Sequence, residues 1–108
     1  MTILEYRQRS GHSPFGKWFS ALDRNAAARV VIALARLGTG NPSNVKGVGA
    51  GVFEYKVDFG PGYRVYFGKD GDRVVILLGG GTKKRQDRDI EAARERWQDY
   101  KQRKRQEQ

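Results

Sequence analysis

The residues with the clearest chemical potential in this sequence are basic and aromatic side chains in and after a run of predicted strands. They are Lys56, Arg64, Tyr66, Lys83, Lys84 and Arg85. The side chains of Lys56 and Arg64 are expected on the same face of neighbouring predicted strands. The turn that follows the next strand can bend over that face. Such a cluster can hold a phosphate and stabilise the charge that develops on it during phosphoryl transfer.

RNA is a substrate that would suit this cluster, because RNA carries its own nucleophile, the 2′-hydroxyl. An enzyme that uses it needs only a positioned base, an acid and cations around the phosphorane. A lysine crowded by other cations could have its pKa lowered enough to act as the base. Arg64 cannot deprotonate and would be an electrostatic clamp. Tyr66 could stack on a base or donate a proton.

Each of these residues also has an ordinary structural interpretation. Lys56 and Glu54 can form a solvated strand face, Tyr66 can be a cross-strand aromatic residue, and Lys83–Arg85 can be a basic turn. From these residues alone, nucleic-acid binding is favoured over catalysis.

Most other active-site chemistry is absent from the sequence. It has no cysteine, so disulfides and thiolate zinc sites are excluded. The one histidine, His12, lies in a linker with no obvious partner. The glycine-rich segments lack the spacing and the following helix that a phosphate cradle needs. Because the acidic residues are scattered, we predict no metal and no cofactor.

The charge of the chain indicates a polyanionic partner. Twenty-one Lys and Arg against twelve Asp and Glu give a net charge of +9 and a pI of about 10.2. RNA, DNA, ribosomes or an acidic protein would all fit, and a solubilising surface is the alternative. No apolar run approaches the ~20 residues that span a bilayer. The N-terminus lacks the pattern of a signal peptide. We therefore expect a cytoplasmic protein with no membrane partner.

Residues 51–81 predict three strands joined by two tight turns. The first strand alternates strictly between apolar and charged residues, which is typical of a half-buried strand. Gly60-Pro61-Gly62 and Asp70-Gly71 mark the turns. The third strand, Val74–Leu78, is apolar throughout, which predicts cover on both faces. The apolar face of the sheet needs a cover, and the other face carries Lys56, Arg64 and Tyr66.

A helical hairpin is the predicted cover. A candidate strand over 2–7 comes first, and Ser13-Pro14 then indicates a helix start. An apolar stripe runs from Phe15 to Leu22, and a second amphipathic helix runs from about Ala26 to Leu37. The glycine-rich segment 38–51, which contains Lys46, predicts a loop. Its glycines leave the backbone free to approach a ligand, and flexible linkage is the more ordinary explanation.

The chain closes with a third predicted helix. Asp87 is expected to cap it, and Ile90, Ala93 and Trp97 give it a narrow apolar stripe. The fold class is therefore α+β, with a small antiparallel-rich sheet, the order β-α-α-β-β-β-α and the helical hairpin on one face. We predict a single domain over 1–100 and a basic polar C-terminal tail over 101–108.

This order and several local strings resemble the RelE/ParE superfamily of bacterial toxins, and most closely its HigB-like branch of phage-related addiction module killer proteins. The matching strings are Phe15-x-x-Trp18-Phe19-x-x-Leu22, Gly40-Asn41, Val45-Lys46-x-Val48-Gly49-x-Gly51-Val52, Gly60-Pro-Gly-Tyr-Arg-Val-Tyr-Phe67, Leu77-Leu78-x-Gly80-Gly81-x-Lys83 and Gln86-Asp87-x-Asp89-Ile90-x-x-Ala93. The fourth string and the last two are the most specific.

The resemblance implies a type II toxin–antitoxin toxin that is a ribosome-dependent, metal-independent mRNA endonuclease, or mRNA interferase. It implies a small antitoxin, usually with a helix-turn-helix DNA-binding domain, and contact with operator DNA only through the antitoxin complex. Carried over by position, Arg64 matches the catalytic arginine of the family, Lys83 matches the lysine after the last strand, and Lys56 lies where relatives often have a basic residue. Tyr66, Lys84, Arg85 and Lys46 are the expected RNA-binding residues.

The sequence departs from the pattern in two places. The turn usually reads Lys-x-Thr-Gln in this branch, and Arg85 stands at the threonine position. Relatives often use a late His or Tyr, and Tyr100 is the only late tyrosine here, which leaves the general acid and base unassigned. The superfamily also contains gyrase-inhibiting toxins with the same fold, and the fold therefore does not determine the function. A ParE-like gyrase inhibitor and an inactive basic RNA- or antitoxin-binding module are therefore the alternatives.

Overall fold

The computed structural model describes residues 1–40 and 43–107. The elements are β1 Thr2–Glu5, α1 Pro14–Ser20, α2 Arg24–Gly38, β2 Val45–Gly47, β3 Val52–Val57, β4 Tyr63–Asp70, β5 Val74–Thr82 and α3 Gln86–Gln106, with one 3-10 turn, Lys83–Arg85, between β5 and α3. Asn41 and Pro42, which belong to the predicted loop over 38–51, lie outside the described residues, and Asn41 is also part of one of the matching strings.

The strands form one sheet in the order β1-β5-β4-β3-β2. β1 pairs with β5 in parallel, and the other three pairings are antiparallel. The predicted α+β class with an antiparallel-rich sheet is therefore confirmed. The prediction of a loop over 38–51 is wrong in one part, because Val45–Gly47 pairs with β3 as an edge strand. A three-residue strand is too short to show an alternating pattern.

The predicted helical hairpin is confirmed and covers one face of the sheet. The Ser13 hydroxyl accepts a hydrogen bond from the Gly16 N–H at 2.9 Å, and the Asp23 carboxylate accepts one from the Ala26 N–H at 2.8 Å. These side chains cap α1 and α2. The buried residues of this face are Phe15, Ala26, Val30, Ala33, Leu37, Tyr55, Val57, Tyr63, Val65, Phe67, Val75 and Leu77.

α3 covers the opposite face, for which the sequence predicted no covering element. Its buried cluster is Tyr6, Val52, Tyr66, Ile76, Leu78, Ala93 and Trp97. Trp97 lies so close to the sheet that a Cβ at Gly68 would come within 2.5 Å of its ring. β5 is covered on both sides, as its apolar sequence predicted, because Val75 and Leu77 pack on the hairpin side and Ile76 and Leu78 on the side of α3. The predicted cap of α3 is wrong, because the helix begins at Gln86 with no side-chain cap and Asp87 lies in its first turn.

α3 continues through residues 101–106, which the sequence assigned to a basic polar tail. The Tyr100 hydroxyl donates to Asp70 at 2.7 Å, and Lys104 pairs with the same carboxylate. Arg103 donates to the Arg7 carbonyl oxygen at 2.6 Å. These contacts hold the last turns of α3 against the end of β4 and the segment that follows β1. No helix in the described part of the chain is long and apolar enough to cross a membrane.

A bulge in β5 changes which side chains face α3 at the end of the sheet that carries the candidate residues. The pairing shifts between Tyr66 and Phe67, so that Tyr66 is opposite Gly79 and Phe67 is opposite Leu77. Leu78 is the extra residue, and Gly79 consequently faces α3 as Leu78 does. Beyond the bulge, Gly79 and Gly81 lie under α3 while Gly80 lies under Trp18 of α1.

Candidate functional site

The three residues predicted to be catalytic lie around one cleft. Lys56 is paired with Arg64 across β3 and β4, and Arg64 is paired with Gly81 across β4 and β5. Lys83 follows two residues after Gly81. The cleft has a volume of about 430 Å³ and is lined by Lys56, Asp58, Phe59, Gly60, Pro61, Gly62, Arg64 and Lys83. Three cations against one carboxylate give the cleft a positive potential that suits an anion.

Arg64 is the buried cation of this cleft, with 7% of its surface exposed. Its Nε lies 3.5 Å from Oε1 of Glu54. On the other side, a Cβ at Gly62 would lie 3.8 Å from Nη1 of Arg64. Gly62 adopts φ +82°, which the β3–β4 turn needs and which favours glycine. The guanidinium is therefore held between Glu54 and the turn that forms one wall of the cleft.

Lys56 and Lys83 are the exposed cations of the cleft wall. Nζ of Lys56 lies 3.5 Å from Oδ1 of Asp58, and both side chains are more than half exposed. Such an exposed pair is weak and can open for another anion. Lys83 is exposed at the first position of the 3-10 turn that follows β5.

A second cleft of about 550 Å³ continues from Lys83 along the start of α3. It is lined by Lys83, Lys84, Arg85, Gln86, Asp87 and Arg88. Because Lys83 borders both clefts, the cationic surface is continuous. It also lies at the N-terminal end of a 21-residue helix, where the macrodipole adds positive potential. Arg88 belongs to this surface and was missed, because the sequence shows it only as one charge among many on α3.

Tyr66, the residue expected to stack on an RNA base or to donate a proton, does not lie at the surface. Its side chain is fully buried beneath α3, and its hydroxyl makes no hydrogen bond within residues 1–40 and 43–107. Burial raises the pKa of this hydroxyl well above its usual range, and the nearby carboxylates of Glu54 and Asp89 raise it further. A ring in this position cannot stack on a base, and its hydroxyl is poorly placed to reach a substrate.

Lys46 lies on β2, where it is paired with Glu54 across the sheet. Its Nζ is 3.7 Å from Oε1 of Glu54, and 64% of its side chain is exposed. Lys46 does not line the main cleft. The structure thus brings Lys46 beside the network that holds Arg64.

Glu54 and Gln86 also belong to this site, although the sequence pattern does not indicate them. Glu54 is 2% exposed, and its Oε2 accepts a hydrogen bond from Nε2 of Gln86 at 2.8 Å. Glu54 alternates with apolar residues on β3, so its pattern indicated a solvated face. Only the position of α3 shows that this face is covered.

Asp89 lies over Gly81, the residue that is paired with Arg64 across β4 and β5. A Cβ at Gly81 would overlap the Asp89 carboxylate, so this close approach requires glycine. Burial raises the pKa of Asp89 above its usual range, against the opposing effect of Arg85 and Arg96. Within the described ranges, no three His, Cys, Asp or Glu side chains are grouped so that they could hold a metal ion.

The five-stranded mixed sheet with three helices is that of a small RelE-like α+β domain. The chain belongs to the family described as Phage derived protein Gp49-like, which matches residues 17–98. This family belongs to the RelE/HigB-like superfamily of toxin–antitoxin systems and is associated with their toxins, which typically pair with an antitoxin.

A protein of Haemophilus influenzae (strain ATCC 51907 / DSM 11121 / KW20 / Rd), described only as an uncharacterized protein, is 42% identical to this chain over 81 residues. The match covers 74% of this chain and 82% of that protein. The segment matched by the family includes the two clefts and Lys46.

Proposed function

We propose that this chain is the toxin of a type II toxin–antitoxin system and acts as a metal-independent, ribosome-dependent mRNA endonuclease. The observation that carries the proposal is the convergence of Arg64, Lys83 and Lys56 on one cleft. A ParE-like gyrase inhibitor would not need these three cations to meet around a concave surface.

The reaction that this cleft supports is attack of a ribose 2′-oxygen on the adjacent phosphorus. A bond forms between the 2′-oxygen and phosphorus, and the bond from phosphorus to the 5′-oxygen breaks. The products are a 2′,3′-cyclic phosphate and a 5′-hydroxyl, with one proton leaving the 2′-hydroxyl and one reaching the 5′-oxygen. Negative charge grows on the phosphoryl oxygens in the transition state, and fixed cations stabilise that charge most.

Arg64 is the residue best suited to that stabilisation. Its charge is permanent, its side chain is held on one side by Glu54, and little water surrounds it. Lys83 provides a second positive charge from the 3-10 turn after β5. Lys56, which is paired loosely with Asp58, acts as a further clamp or as the base that takes the 2′-hydroxyl proton.

The RNA backbone on one side of the scissile phosphate follows the second cleft. Lys84 and Arg85 line it together with Arg88, and all three are exposed. Lys46 contacts RNA beyond the edge of the main cleft, where its ammonium group is accessible. Contacts of this type supply affinity without sequence preference.

The partner of the toxin is a cognate antitoxin that carries a helix-turn-helix DNA-binding domain. Operator DNA is then contacted through the complex of toxin and antitoxin, and the toxin acts in the cytoplasm on mRNA held by the ribosome. The family membership supports this partnership, and the net charge of +9 suits a ribosomal target.

The test is to map new 5′ ends on cellular mRNA shortly after induction of the protein without its antitoxin. The variant is Lys83→Ala, because Lys83 is exposed and its truncation should leave the fold intact. The control is Lys17→Ala, which removes an exposed lysine from α1. Loss of one clamp should lower the rate about 10²–10³-fold, as deletion of an oxyanion-hole donor does.

We expect new ends within translated codons for the parent and for Lys17→Ala, and few or none for Lys83→Ala. Arrested growth with intact mRNA and a DNA-damage response would overturn the nuclease and leave gyrase inhibition. Normal growth with antitoxin binding retained would leave an inactive binding module.

A further inference from the structure

A buried carboxylate joins the elements that carry the candidate catalytic residues. Glu54 lies on β3, and its carboxylate is near the Tyr66 hydroxyl and in contact with three further side chains from three other elements. Lys46 comes from β2, Arg64 from β4 and Gln86 from the first position of α3. Since Glu54 is 2% exposed, water contributes little to its solvation, and these groups must do so instead.

The contact with Arg64 restricts the orientation of the guanidinium. An arginine side chain has many rotamers, and a clamp on a phosphate acts best when its position is already fixed. Glu54 attracts the Nε edge of Arg64 at 3.5 Å. The two terminal nitrogens are then left for an anion in the cleft, where Gly62 allows Nη1 to approach the turn.

The contact with Gln86 restrains the second cation. Gln86 directly follows the 3-10 turn Lys83–Arg85, and its amide donates a hydrogen bond to Oε2 of Glu54 at 2.8 Å. The turn that carries Lys83 is therefore tied to the same carboxylate that holds Arg64. One buried group sets the spacing of two clamps that come from different elements.

We propose that Glu54 is a positioning residue for RNA cleavage, which holds Arg64 directly and the Lys83 turn through Gln86 at the spacing that the transition state requires. This inference rests on the proposed function. Glu54 does not touch the substrate, because it lies beneath α3 and does not line the cleft.

Removal of the Glu54 charge should affect RNA binding and the rate of cleavage in opposite directions, and this difference tests the positioning role. A negative group beside a cationic cleft weakens the attraction for RNA, so its removal should leave RNA binding unchanged or tighter. Loss of positioning should instead lower the rate of the chemical step, since misplacement by about 1 Å can cost about 10²-fold. A group that acts only through its charge would not slow the reaction.

The variant is Glu54→Gln, which keeps the shape of the side chain and an oxygen that can accept the hydrogen bond from Gln86. Its neutral amide no longer provides the negative charge that holds Arg64. The charge-matched control is Glu91→Gln, which removes an exposed carboxylate from α3. A second variant, Gln86→Met, keeps Glu54 and releases the turn. Cleavage is measured on programmed ribosomes under single-turnover conditions, with the amount of folded protein taken from circular dichroism.

We expect Glu54→Gln to lower the rate of cleavage about 10²-fold at saturation, with KM unchanged or lower, and Gln86→Met to lower the rate with KM nearly unchanged. Glu91→Gln should cleave as the parent does. A Glu54→Gln protein that is folded and retains the parental rate would overturn the inference. A proportional loss of rate and of folded protein would also overturn it, because Glu54 would then be structural only.

A second readout does not depend on cleavage. The Nε–H resonance of Arg64 is followed by ¹⁵N NMR, with and without inorganic phosphate. We expect one sharp signal in the parent, because the charge of Glu54 holds the buried guanidinium in one orientation. The signal should broaden in Glu54→Gln and stay sharp in Glu91→Gln, and an equally sharp signal in Glu54→Gln would overturn the positioning role. If the parent cleaves no RNA, the proposed nuclease function fails, and this readout still decides whether Glu54 positions Arg64.

Discussion

Arg64 and Glu54 form a buried ion pair, with Nε of the arginine 3.5 Å from Oε1 of the carboxylate. The arginine is 7% exposed and the glutamate 2% exposed. The Nε–H nevertheless makes no hydrogen bond to any residue that the structure describes. The pair is thus held by charge, and each member depends on the other for its solvation.

This dependence predicts that Arg64 cannot be removed without a loss of stability. Arg64→Met should destabilise the protein by about 3 kcal/mol, because it leaves the Glu54 carboxylate buried without its main counter-charge. Adding Glu54→Gln should recover most of the loss, since no unpaired charge then remains. Urea unfolding measures both, and an unchanged m-value shows that the denatured state is the same.

Equal stabilities for the single and the double variant would contradict this prediction. They would show that Lys46 and Gln86 alone suffice to solvate Glu54. In either case, loss of activity in an arginine variant has to be read beside its folded fraction. Lys83, which is exposed, is the cleaner probe of the chemistry.

The close approach of Gly81 to α3 gives a second prediction. Gly81→Ala should destabilise the fold by roughly 1–3 kcal/mol, because the new Cβ would overlap the Asp89 carboxylate. It should also lower cleavage, since α3 would have to move together with the Lys83 turn. Thermal unfolding and single-turnover cleavage are the measurements.

The matched control for this variant is Gly47→Ala, because a Cβ at Gly47 would meet no atom within 4 Å. The double variant Gly81→Ala/Asp89→Ala should regain part of the stability, since it removes the overlapping group. If Gly81→Ala is as stable as Gly47→Ala, the first turn of α3 is not held against β5 as the structure has it.

The C-terminal end of α3 gives a prediction about pH. The hydrogen bond from Lys104, and then that from Tyr100, hold the pKa of the Asp70 carboxyl below its usual range. A lowered folded-state pKa means that the ionised carboxylate stabilises the fold. This stabilisation is complete above the unfolded pKa of about 3.9 and is lost as pH falls through the folded value.

Asp70→Asn should therefore be less stable than the parent by about 1 kcal/mol at neutral pH, and the difference should shrink below about pH 4. Asp72→Asn, in the same exposed turn, is the control and should show no such difference. Urea unfolding at a series of pH values is the measurement. A gap between parent and Asp70→Asn that persists at the lowest pH would contradict the assignment.

The same pair predicts a change at alkaline pH. Burial raises the pKa of Tyr100 to about 12, and its hydrogen bond to Asp70 contributes to the shift. A raised folded-state pKa means that the neutral phenol stabilises the fold below the unfolded value of about 10, and that this stabilisation is lost between about pH 10 and 12. Tyr100→Phe should remove that part of the alkaline dependence, which urea unfolding across this pH range measures.

The sequence predicts the facing of the central strands well, because period two is a local property of the chain. The apolar side chains of the alternating pattern lie under the hairpin, and the all-apolar start of β5 is buried on both faces. The buried residues on the hairpin side are Tyr55 and Val57 of β3 and Tyr63, Val65 and Phe67 of β4. The shared facing of Lys56 and Arg64 follows from the same pattern and appears as a direct cross-strand pair.

The surroundings of these side chains could not be predicted, because they depend on long-range packing. α3 is an amphipathic helix with a narrow apolar stripe, and its sequence alone does not indicate which face of the sheet it covers. Its actual position buries Tyr66 and Glu54 and leaves Lys83 beside Arg64. The bulge at Leu78 brings Gly81 under α3. Apart from the run of glycines, the sequence contains no local feature that predicts this bulge.

The second cleft predicts how RNA affinity responds to salt. Each cation removed from the phosphates of a single-stranded RNA should reduce the slope of log K against log salt by about 0.7. Lys84→Ala and Arg85→Ala should each weaken RNA binding and lower the slope by about that amount, because both side chains line this cleft. Arg36→Ala, an exposed arginine near the end of α2, should leave the slope unchanged.

Fluorescence anisotropy with a short 2′-O-methyl RNA is the measurement, because such RNA lacks the nucleophile and is not cut. The single-turnover rate at saturating substrate should stay close to the parental value in both variants, since these cations bind the backbone away from the scissile phosphate. Equal slopes for Arg85→Ala and Arg36→Ala would mean that RNA leaves the main cleft by another route. A large loss of the saturated rate in Lys84→Ala would instead place that lysine at the reacting phosphate.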